Sequence, residues 1–570
     1  MSSLWLKGEE RSDRITALMP SNTPAPANSA DRLDSWKEIA SYLRRDVRTV
    51  QRWEKKEGLP VHRHQHDKLG SVYASRMELD SWLSTRQIAE VRPGANGYKI
   101  RLAVLPLGNL AGDPEQDYFS DGLTEEMITQ ITRLQPERLA VIALSTAMNY
   151  KASNKPLEQI KSELGVDYIL QGKVRRAADR IRITTQLVEV EDQTQLWAET
   201  YERDLRDILS VQAEIAQAIA REIQVLVSRS EQTRLSAMEQ GKKKVNPSAY
   251  ESYLKGRFHL HGLTAAPIQK SIQFFESAIQ QEPTYAPAHA GLATAYALLA
   301  IAPFDLLLPH QAMPKAEGAA RRSLELDESL AEAHIALALV RHHYHWDWES
   351  AESNYRRAIE LNPDDASAHL WYSWMLLALS RHQEALEEIE RTMEIVQATD
   401  PHRMVGVRST RAAAYYFSRD YDRAAAECQK GLELDPSYFM LHYILARSFA
   451  RMGRNTEALA HLQPKGKSIG EVPLMDAALG LAYAVGGQKT HTKKIVEAFN
   501  IHAAKRYIPA TYFGMLFAGL GEKEQALTWL EKAYEERADG LTWLNVDPML
   551  DNLRPEPRFQ DLVKKIGLVK

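Results

Sequence analysis

The chain has 570 residues, of which 44% are hydrophobic and 26% are charged, a composition typical of a soluble protein with several globular domains. Its 71 basic and 75 acidic residues nearly balance, so only the local distribution of charge can indicate a partner. The single cysteine, Cys428, excludes an intramolecular disulfide and any cysteine-rich metal site. Because Cys428 falls on an apolar helical position, we predict a small buried residue there and not a nucleophile.

The N-terminal stretch is polar and contains no continuous apolar core of the kind a signal peptide requires. Residues 1–30 end in a segment rich in Pro, Ser and Ala, which predicts a disordered leader. The longest apolar stretch, at 290–308, is interrupted by Thr294, Pro303 and Asp305 and falls short of the roughly 20 residues needed to cross a bilayer. We therefore expect a cytoplasmic protein.

Residues 31–86 carry the pattern of a small helical module. A first helix is capped by Ser35 and has an apolar stripe formed by Trp36, Ile39, Ala40 and Leu43. A second helix, at 47–57, places Val50 and Trp53 inward, and Gly58 and Pro60 end it. Two short strands are predicted at 61–66 and 71–74, joined across 67–70. A third helix follows, and its predicted core positions are Met77, Leu79, Trp82 and Leu83.

Two helices separated by a tight turn are typical of a helix-turn-helix, whose second helix enters the major groove of double-stranded DNA. Local charge favours this interpretation, because residues 44–68 contain eight Lys or Arg and four Asp or Glu. We predict that Arg48, Gln51 and Arg52 contact base edges. The predicted phosphate contacts are Arg44, Arg45, Thr49, Lys55, Arg63, His64 and Lys68. The alternative is a solvated helix face on a protein-binding domain.

The residues Thr49-Val50-Gln51-Arg52-Trp53-Glu54, followed by Gly58-Leu59, resemble the winged helix-turn-helix of the MerR and excisionase group. The resemblance covers about fifty residues and implies a recognition helix after Thr49 and a wing that grips the DNA backbone. The chain departs from MerR proteins in lacking a long dimerisation helix and a cysteine-bearing effector loop, so metal sensing by that route is not expected. A module of this size usually gains specificity by forming a homodimer on DNA, and the sequence permits one.

Alternating histidines on the second predicted strand raise the question of a metal. His62, His64 and His66 would share one face of the strand. Zinc needs a fourth ligand, and no cysteine lies nearby, so contact with phosphate is the preferred interpretation. We predict no metal and no cofactor for the chain.

After a Gly- and Pro-containing linker at 87–98, residues 99–235 alternate between strand and helix patterns. Strands are predicted at 100–107, 139–144, 167–175, 180–190 and 195–201, and helices at 117–134, 156–164 and 205–228. The 117–134 helix is predicted to be capped by Ser120 or Asp121, with Glu125 and Glu126 in its first turn. Ile181, Ile183, Thr185 and Leu187 alternate with polar residues, as in a half-buried antiparallel strand. The segment is predicted to be a mixed α/β domain and not a doubly wound nucleotide binder.

Residues 100–106, 113–124 and 196–201 (IRLAVLP, DPEQDYFSDGLT and LWAETY) resemble the TolB N-terminal-like, or FlgO-like, domain. The resemblance runs across 100–225 and implies a non-catalytic domain that often lies between a DNA-binding or signalling module and a tetratricopeptide array. Asp113, Asp117 and Asp121 are four residues apart and lack the ligand spacing of a calcium loop, so loop and cap roles are favoured.

From 247 to 570 the sequence repeats. Ala351 and Ala385 are 34 residues apart, as are Ala424 and Ala458, and a pattern of small, large and small residues followed by Pro surrounds them. This period resembles the tetratricopeptide repeat (TPR) and implies an α-solenoid of about seven or eight helix pairs, whose concave face binds a protein or peptide partner. Residues 543–559 resemble the capping end of such arrays. The histidines of His342-His343-Tyr344-His345 are predicted to pack at a turn between repeat helices.

The fold class is therefore multidomain and mainly α: a winged helix-turn-helix, a TolB N-terminal-like α/β domain and a TPR superhelix. The sequence contains no GxxxxGK, GxGxxG or HExxH motif, and we expect no enzyme. We predict a transcription regulator or regulatory adaptor that binds DNA and recruits a partner through its repeats. The alternatives are a TPR scaffold that does not bind DNA and an enzyme whose α/β domain binds a nucleotide.

Overall fold

The computed structural model describes residues 32–43, 47–63, 72–79, 82, 99–110, 113, 116–134, 138–151, 153, 155–177, 179–223, 244–260, 265–400, 403–462 and 472–569. The chain divides into two compact units, residues 1–98 and 99–570. The predicted leader and linker lie outside the described residues.

In its described residues, the N-terminal unit contains two longer helices, a helical segment at 76–79 where the third helix is predicted, and a small sheet. Helix α1 (Trp36–Tyr42) begins after Ser35, whose hydroxyl accepts a hydrogen bond from the Glu38 amide at 3.2 Å. Helix α2 (Val47–Glu57) ends at Gly58, which adopts a left-handed φ of +68°. The three strands are β1 (Arg32–Leu33), β2 (His62–Arg63) and β3 (Val72–Ser75).

Strand β3 lies at the centre of this sheet and pairs antiparallel with both β1 and β2. No pattern in the sequence predicted β1. Ile39, Val50, Trp53 and Leu79 are buried in a common core, and the Trp53 ring lies 5.6 Å from that of Trp82. The prediction for Met77 was wrong, because its side chain is 71% exposed. A single helical turn buries only one of its faces, and in this turn the buried face carries Leu79.

The second unit begins with a mixed sheet, in the order β6-β4-β7-β8-β9. Its strands are β4 (Ile100–Val104), β5 (Gly108–Asn109), β6 (Leu139–Val141), β7 (Tyr168–Ala177), β8 (Arg180–Glu189) and β9 (Thr194–Asp204). Strand β4 runs parallel to β6 and β7, whereas β7, β8 and β9 are antiparallel neighbours, and β5 pairs with β7 off this path. The predicted alternation in β8 is confirmed, because Ile181, Ile183, Thr185 and Leu187 are all buried.

Helices cover both faces of this sheet. Leu102 and Val104 point to the face packed by α3 (Asp117–Thr132) and α6 (Ile208–Glu222). Ala103 points to the opposite face, where α5 (Leu157–Leu164) packs. The short helix α4 (Leu144–Ala147) follows β6. Alternating residues of β4 therefore supply both cores.

The predicted cap of α3 was wrong. The helix begins at Asp117, so Ser120, Asp121 and Glu125 lie inside it and are buried. Inside the helix the Ser120 hydroxyl donates to the Asp117 carbonyl at 3.0 Å and does not cap the helix.

Sixteen helices follow in eight consecutive pairs within the described residues. Their bounds are α7 (Pro247–Leu260), α8 (Ala265–Gln281), α9 (Ala286–Leu299), α10 (Pro309–Leu326), α11 (Ala331–Val340), α12 (Trp348–Leu361), α13 (Ala366–Ala378), α14 (His382–Thr399), α15 (Met404–Phe417), α16 (Tyr421–Leu434), α17 (Phe439–Arg451), α18 (Asn455–Leu462), α19 (Pro473–Val485), α20 (Lys489–Ala503), α21 (Ala510–Leu520) and α22 (Lys523–Glu536). A π-helical turn, Arg341–His345, continues α11.

Small residues allow the paired helices to approach. The repeated alanines Ala351, Ala385, Ala424 and Ala458 are completely buried. Cys428 is buried in the same core, which confirms its predicted role, and burial raises the pKa of its thiol. This arrangement is the TPR-like solenoid that the 34-residue period predicted.

The C-terminal segment contains two 3-10 turns, Asp539–Trp543 and Pro548–Leu553, and helix α23 (Pro557–Lys565). It covers the last repeat with Leu541, Leu544, Leu553 and Phe559. Among the described helices, none is both long enough and apolar enough to span a membrane.

Candidate functional site

The predicted DNA-binding residues lie on and around α2, in the N-terminal unit. Lys55 and Arg63 are exposed and Gln51 is half-buried. Arg48, Thr49 and Arg52 belong to α2, but their side chains are outside the description, as are residues Arg44, Arg45, His64 and Lys68 altogether. Val50 and Trp53 face the core. Because Gln51 and Lys55 are four residues apart, they share a helix face that differs from this buried one.

One ion pair connects α2 to the sheet. Arg63 Nη2 lies 2.8 Å from Glu54 Oε1, and the Arg63 side chain is 59% exposed. An exposed pair of this kind contributes little to stability, so the guanidinium can exchange its partner for a phosphate at small cost.

Of the three histidines that raised the question of a metal, His62 has a structural role. His62 Nε2 lies 2.8 Å from Glu78 Oε2, and the imidazole stacks on Tyr73 with ring centroids 5.1 Å apart. His64 and His66 are outside the described residues. Within the described ranges there is no group of three or more His, Cys, Asp or Glu side chains placed to hold a metal ion.

A second candidate site lies inside the 99–570 unit, where the α/β domain contacts the helical array in two places. The first is a close packing of α3 on α7: a Cβ on Gly122 would lie 2.9 Å from the Leu254 side chain. Arg257, on α7, forms ion pairs with Glu125 and with Glu332 of α11. The Tyr253 hydroxyl donates to Glu126 at 2.8 Å, and burial raises the pKa of that carboxyl to about 7.

The second contact is made by the segment after β6. The Ala143 amide donates to the Thr399 carbonyl at 2.8 Å, at the end of α14. The hydroxyls of Ser145 and Thr146 both donate to the buried carboxylate of Asp400. Because the α/β domain holds both the beginning and the middle of the array, the chain closes into a ring.

The C-terminal segment contacts the same ring. Asp539 accepts a hydrogen bond from the Ala302 amide at 3.2 Å and lies 2.5 Å from His343 Nδ1. Asp547 forms a buried pair with Arg447 on α17, with contacts of 2.5 and 2.6 Å. These contacts connect the end of the chain to α9, the turn after α11, and α17.

Together these elements enclose a cavity of about 1410 Å³, which we call the central chamber. It is bounded by α3, by the first helices of successive pairs and by the C-terminal 3-10 turns. Residues that represent these walls are Asp121, Leu298, Leu339, Trp371, Tyr416, Tyr443, Tyr512 and Trp543. A cavity at a junction of helices and domains is a usual place for a ligand.

Acidic groups dominate the charge of the chamber wall. Asp305 is buried and accepts a hydrogen bond from the Tyr512 hydroxyl at 2.5 Å. The pKa of Asp305 is raised to about 7: burial is the main cause, the Tyr512 hydrogen bond opposes it, and the nearby Asp539 adds to it. Burial together with the neighbouring His343 holds the pKa of His342 well below its usual value, so that imidazole is neutral.

Sequence reasoning missed the chamber. It correctly predicted aromatic packing around the histidine run, since His342 packs 5.3 Å from Trp348. It missed the pairing of His343 with Asp539, which lies 196 residues further along the chain. The available signals were Asp539 and Asp547, two acids between apolar residues in the capping segment.

Comparison with known proteins identifies two parts of the chain. Residues 98–218 match the family described as HilA/YgeH-like transcriptional regulator, second domain. Residues 342–396 and 410–463 match the tetratricopeptide repeat. The chain therefore contains a HilA/YgeH-like regulator domain, in the stretch where the sequence resembles TolB N-terminal-like domains, followed by TPR repeats.

A curated relative from Rhizobium meliloti (strain 1021) is named "Putative adenylate cyclase 3" and is 34% identical over 242 residues. The match spans 42% of this chain and 40% of the relative.

Among solved structures, a tetratricopeptide repeat protein from Parabacteroides merdae is 13% identical, with a TM-score of 0.35, over 48% of this chain and all of the other. PilF from Pseudomonas aeruginosa is 16% identical, with a TM-score of 0.29, over 39% of this chain and 93% of the other.

Proposed function

We propose that this protein is a cytoplasmic DNA-binding transcription regulator that recruits a protein or peptide partner through its TPR array. The observation that carries the proposal is the match of residues 98–218 to a domain of transcriptional regulators. In front of that domain stands a unit whose second helix buries Val50 and Trp53 and exposes Lys55. An exposed basic residue on the second helix of such a unit fits a surface that faces DNA.

In this proposal residues 31–86 act as a winged helix-turn-helix similar to that of the MerR and excisionase group. Arg48, Gln51 and Arg52 read base edges, and the other predicted cations hold phosphates. Residues 99–235, which resemble a TolB N-terminal-like domain, relay a signal between the DNA-binding unit and the array, and the bound form is a dimer.

The test uses the full chain, genomic and random DNA fragments, and a series of salt concentrations. We expect affinity that falls steeply with salt and prefers particular fragments. Arg52→Ala should cost about 1–3 kcal/mol at a preferred fragment, because it removes a base contact. Lys55→Ala should weaken binding to all fragments alike and lower the salt slope by about 1, because it removes a phosphate contact.

Lys430→Ala is the matched control, since Lys430 is an exposed lysine on α16 of the other unit. It should leave both quantities unchanged. Absence of DNA binding at low salt would contradict the proposal and support the alternative function, a TPR adaptor that acts only through protein partners.

The name of the Rhizobium meliloti relative calls for a separate test of activity. We propose that this chain acts without catalysis. Purified protein incubated with ATP and Mg²⁺ or Mn²⁺ should form no cyclic AMP above the buffer blank. Cyclic AMP formed in proportion to protein concentration would overturn that part of the proposal.

A further inference from the structure

The central chamber has an uneven charge. Its described lining residues include nine Asp or Glu and four Arg, and no Lys. Two of the Arg, Arg257 and Arg447, are already paired with lining acids, Glu125 and Asp547.

From outside the lining, Lys151 pairs with Asp121, and Lys99 and Arg391 pair with Asp364. Among the described residues the lining acids without a Lys or Arg partner are Asp305, Asp365, Asp400 and Asp539, and these leave negative charge in the low-dielectric wall.

Two of these acids are held by neutral donors. The Tyr512 hydroxyl donates a hydrogen bond to Asp305, and the hydroxyls of Ser145 and Thr146 donate to Asp400. Neutral hydrogen bonds compensate a buried carboxylate less well than a cation does. The raised pKa of Asp305 is consistent with this geometry.

Buried polar atoms in the same wall have no partner within the described structure. The lining residues with such atoms are Asp121 (Oδ1), His343 (Nε2), Asn362 (Oδ1), Arg447 (Nε) and Thr511 (Oγ1). The oxygens of Asp121, Asn362 and Thr511 can accept a hydrogen bond from a ligand. Thr511 directly precedes Tyr512, which holds Asp305. A buried polar atom without a partner is costly, and a bound ligand with donor groups removes that cost.

The remaining wall is aromatic. The indole of Trp543 stacks on Phe417 at 5.2 Å and meets Trp374 edge-on at 5.3 Å. Two further aromatic lining residues, Phe258 and Phe439, are exposed to 51% and 38%, which is unusual for large apolar side chains. Aromatic faces attract both apolar groups and cations.

We propose that the central chamber binds a small organic cation, an amine or guanidinium attached to an apolar body. Asp305 and Asp539 receive the charged group, and the cluster of Trp374, Phe417 and Trp543 packs against the apolar body. Such a ligand matches the wall in charge and in polarity. The volume of the chamber, about 1410 Å³, exceeds the roughly 300–1,000 Å³ of ordinary ligand pockets, so a small ligand has room to enter it. The site does not depend on DNA binding.

The test compares three ligands that share one apolar body. The probes are 2-phenylethylamine, 2-phenylethanol and 3-phenylpropionate, which carry charges of plus one, zero and minus one. Titration calorimetry with the full chain at pH 8, where Asp305 is ionised, measures each affinity. We expect the amine to bind at least roughly ten-fold more tightly than the alcohol, and the carboxylate most weakly, since loss of a charge-assisted contact has an effect of that size.

Asp305→Asn should weaken the amine roughly ten-fold and leave the alcohol unchanged, because it removes the charge and keeps the shape. Glu360→Gln, at an exposed acid of α12 that pairs with Arg357 outside the chamber, should change neither affinity. Asp539→Asn, at the second acid that receives the charged group, serves as the chamber variant if the first does not fold. Equal affinities for the three probes, preference for the carboxylate, no binding at millimolar concentration, or unaltered amine binding in a folded variant would each overturn the proposal.

Discussion

At the scale of single residues, Asp305 is the group whose ionisation matters most to the central chamber. It faces Asp539 and Tyr512, and burial raises its pKa to about 7. The usual pKa of an aspartate in an unfolded chain is 3.8, so the folded state holds the proton more tightly than the unfolded state does. The stability that this group contributes is therefore present at low pH and is lost as the pH rises through about 7.

Asp305→Asn should remove this pH dependence. The free energy of unfolding of the wild type should fall, relative to the variant, by up to about 1.4 kcal/mol per pH unit between pH 5 and 7. Urea denaturation of both proteins across pH 5 to 8 measures the difference. Because Glu126 also has a pKa near 7, only the difference between the two proteins isolates Asp305. Parallel curves for the two proteins would contradict the assignment.

At the scale of elements, the array depends on positions where a helix tolerates no side chain. Gly291 on α9 lies against the buried ring of Phe275, and a Cβ there would approach the ring to 2.5 Å. Gly318 on α10 has no neighbour within 4 Å of such a Cβ. Both glycines lie inside helices, so the two positions differ in how closely neighbouring atoms approach an added Cβ.

Gly291→Ala should destabilise the protein by about 1–3 kcal/mol, because the ring of Phe275 cannot move without displacing its neighbours. Gly318→Ala, the matched control, should stabilise it by about 0.5–1 kcal/mol through helix propensity. Thermal and urea unfolding of both variants provide the measurement. A stabilised Gly291→Ala protein would show that α8 and α9 have room between them.

At the scale of the whole 99–570 unit, the contact of Ser145 and Thr146 with Asp400 closes the ring around the chamber. Removing both hydroxyls leaves the buried Asp400 carboxylate without these donors, a change that costs about 1–3 kcal/mol for each lost bond. The local consequence should be opening of the α4–α14 contact.

Ser145→Ala combined with Thr146→Val should therefore increase hydrogen exchange in α4 and at the end of α14, with little change in α21. Thr528→Val is the control, because that hydroxyl donates to the Glu524 carbonyl of its own helix and otherwise accepts only a long contact, at 3.4 Å, from Arg558. Mass spectrometry of exchange in the full chain measures all three segments. Unchanged protection of α4 would mean that the Ala143 backbone contact alone holds the ring closed.

Local patterns in the sequence determined most of the elements. The Ser35 cap and the Gly58 stop bound α1 and α2, the alternation of β8 marks its buried face, and the 34-residue period indicates the paired helices. These signals can be read because each depends on the chemistry of a few neighbouring residues. The same locality explains the errors at Met77 and at the cap of α3, where distant packing decides which residues are buried.

The tertiary structure alone decided where the central chamber lies. Ser145 and Asp400 are 255 residues apart and His343 and Asp539 are 196 apart, and no pattern within either segment indicates its partner. Their meeting depends on how the stacked helix pairs curve, which is a sum of small rotations over many repeats. The sequence shows Asp305 and Asp539 as two separate acidic residues, and only the closed ring brings them into one site.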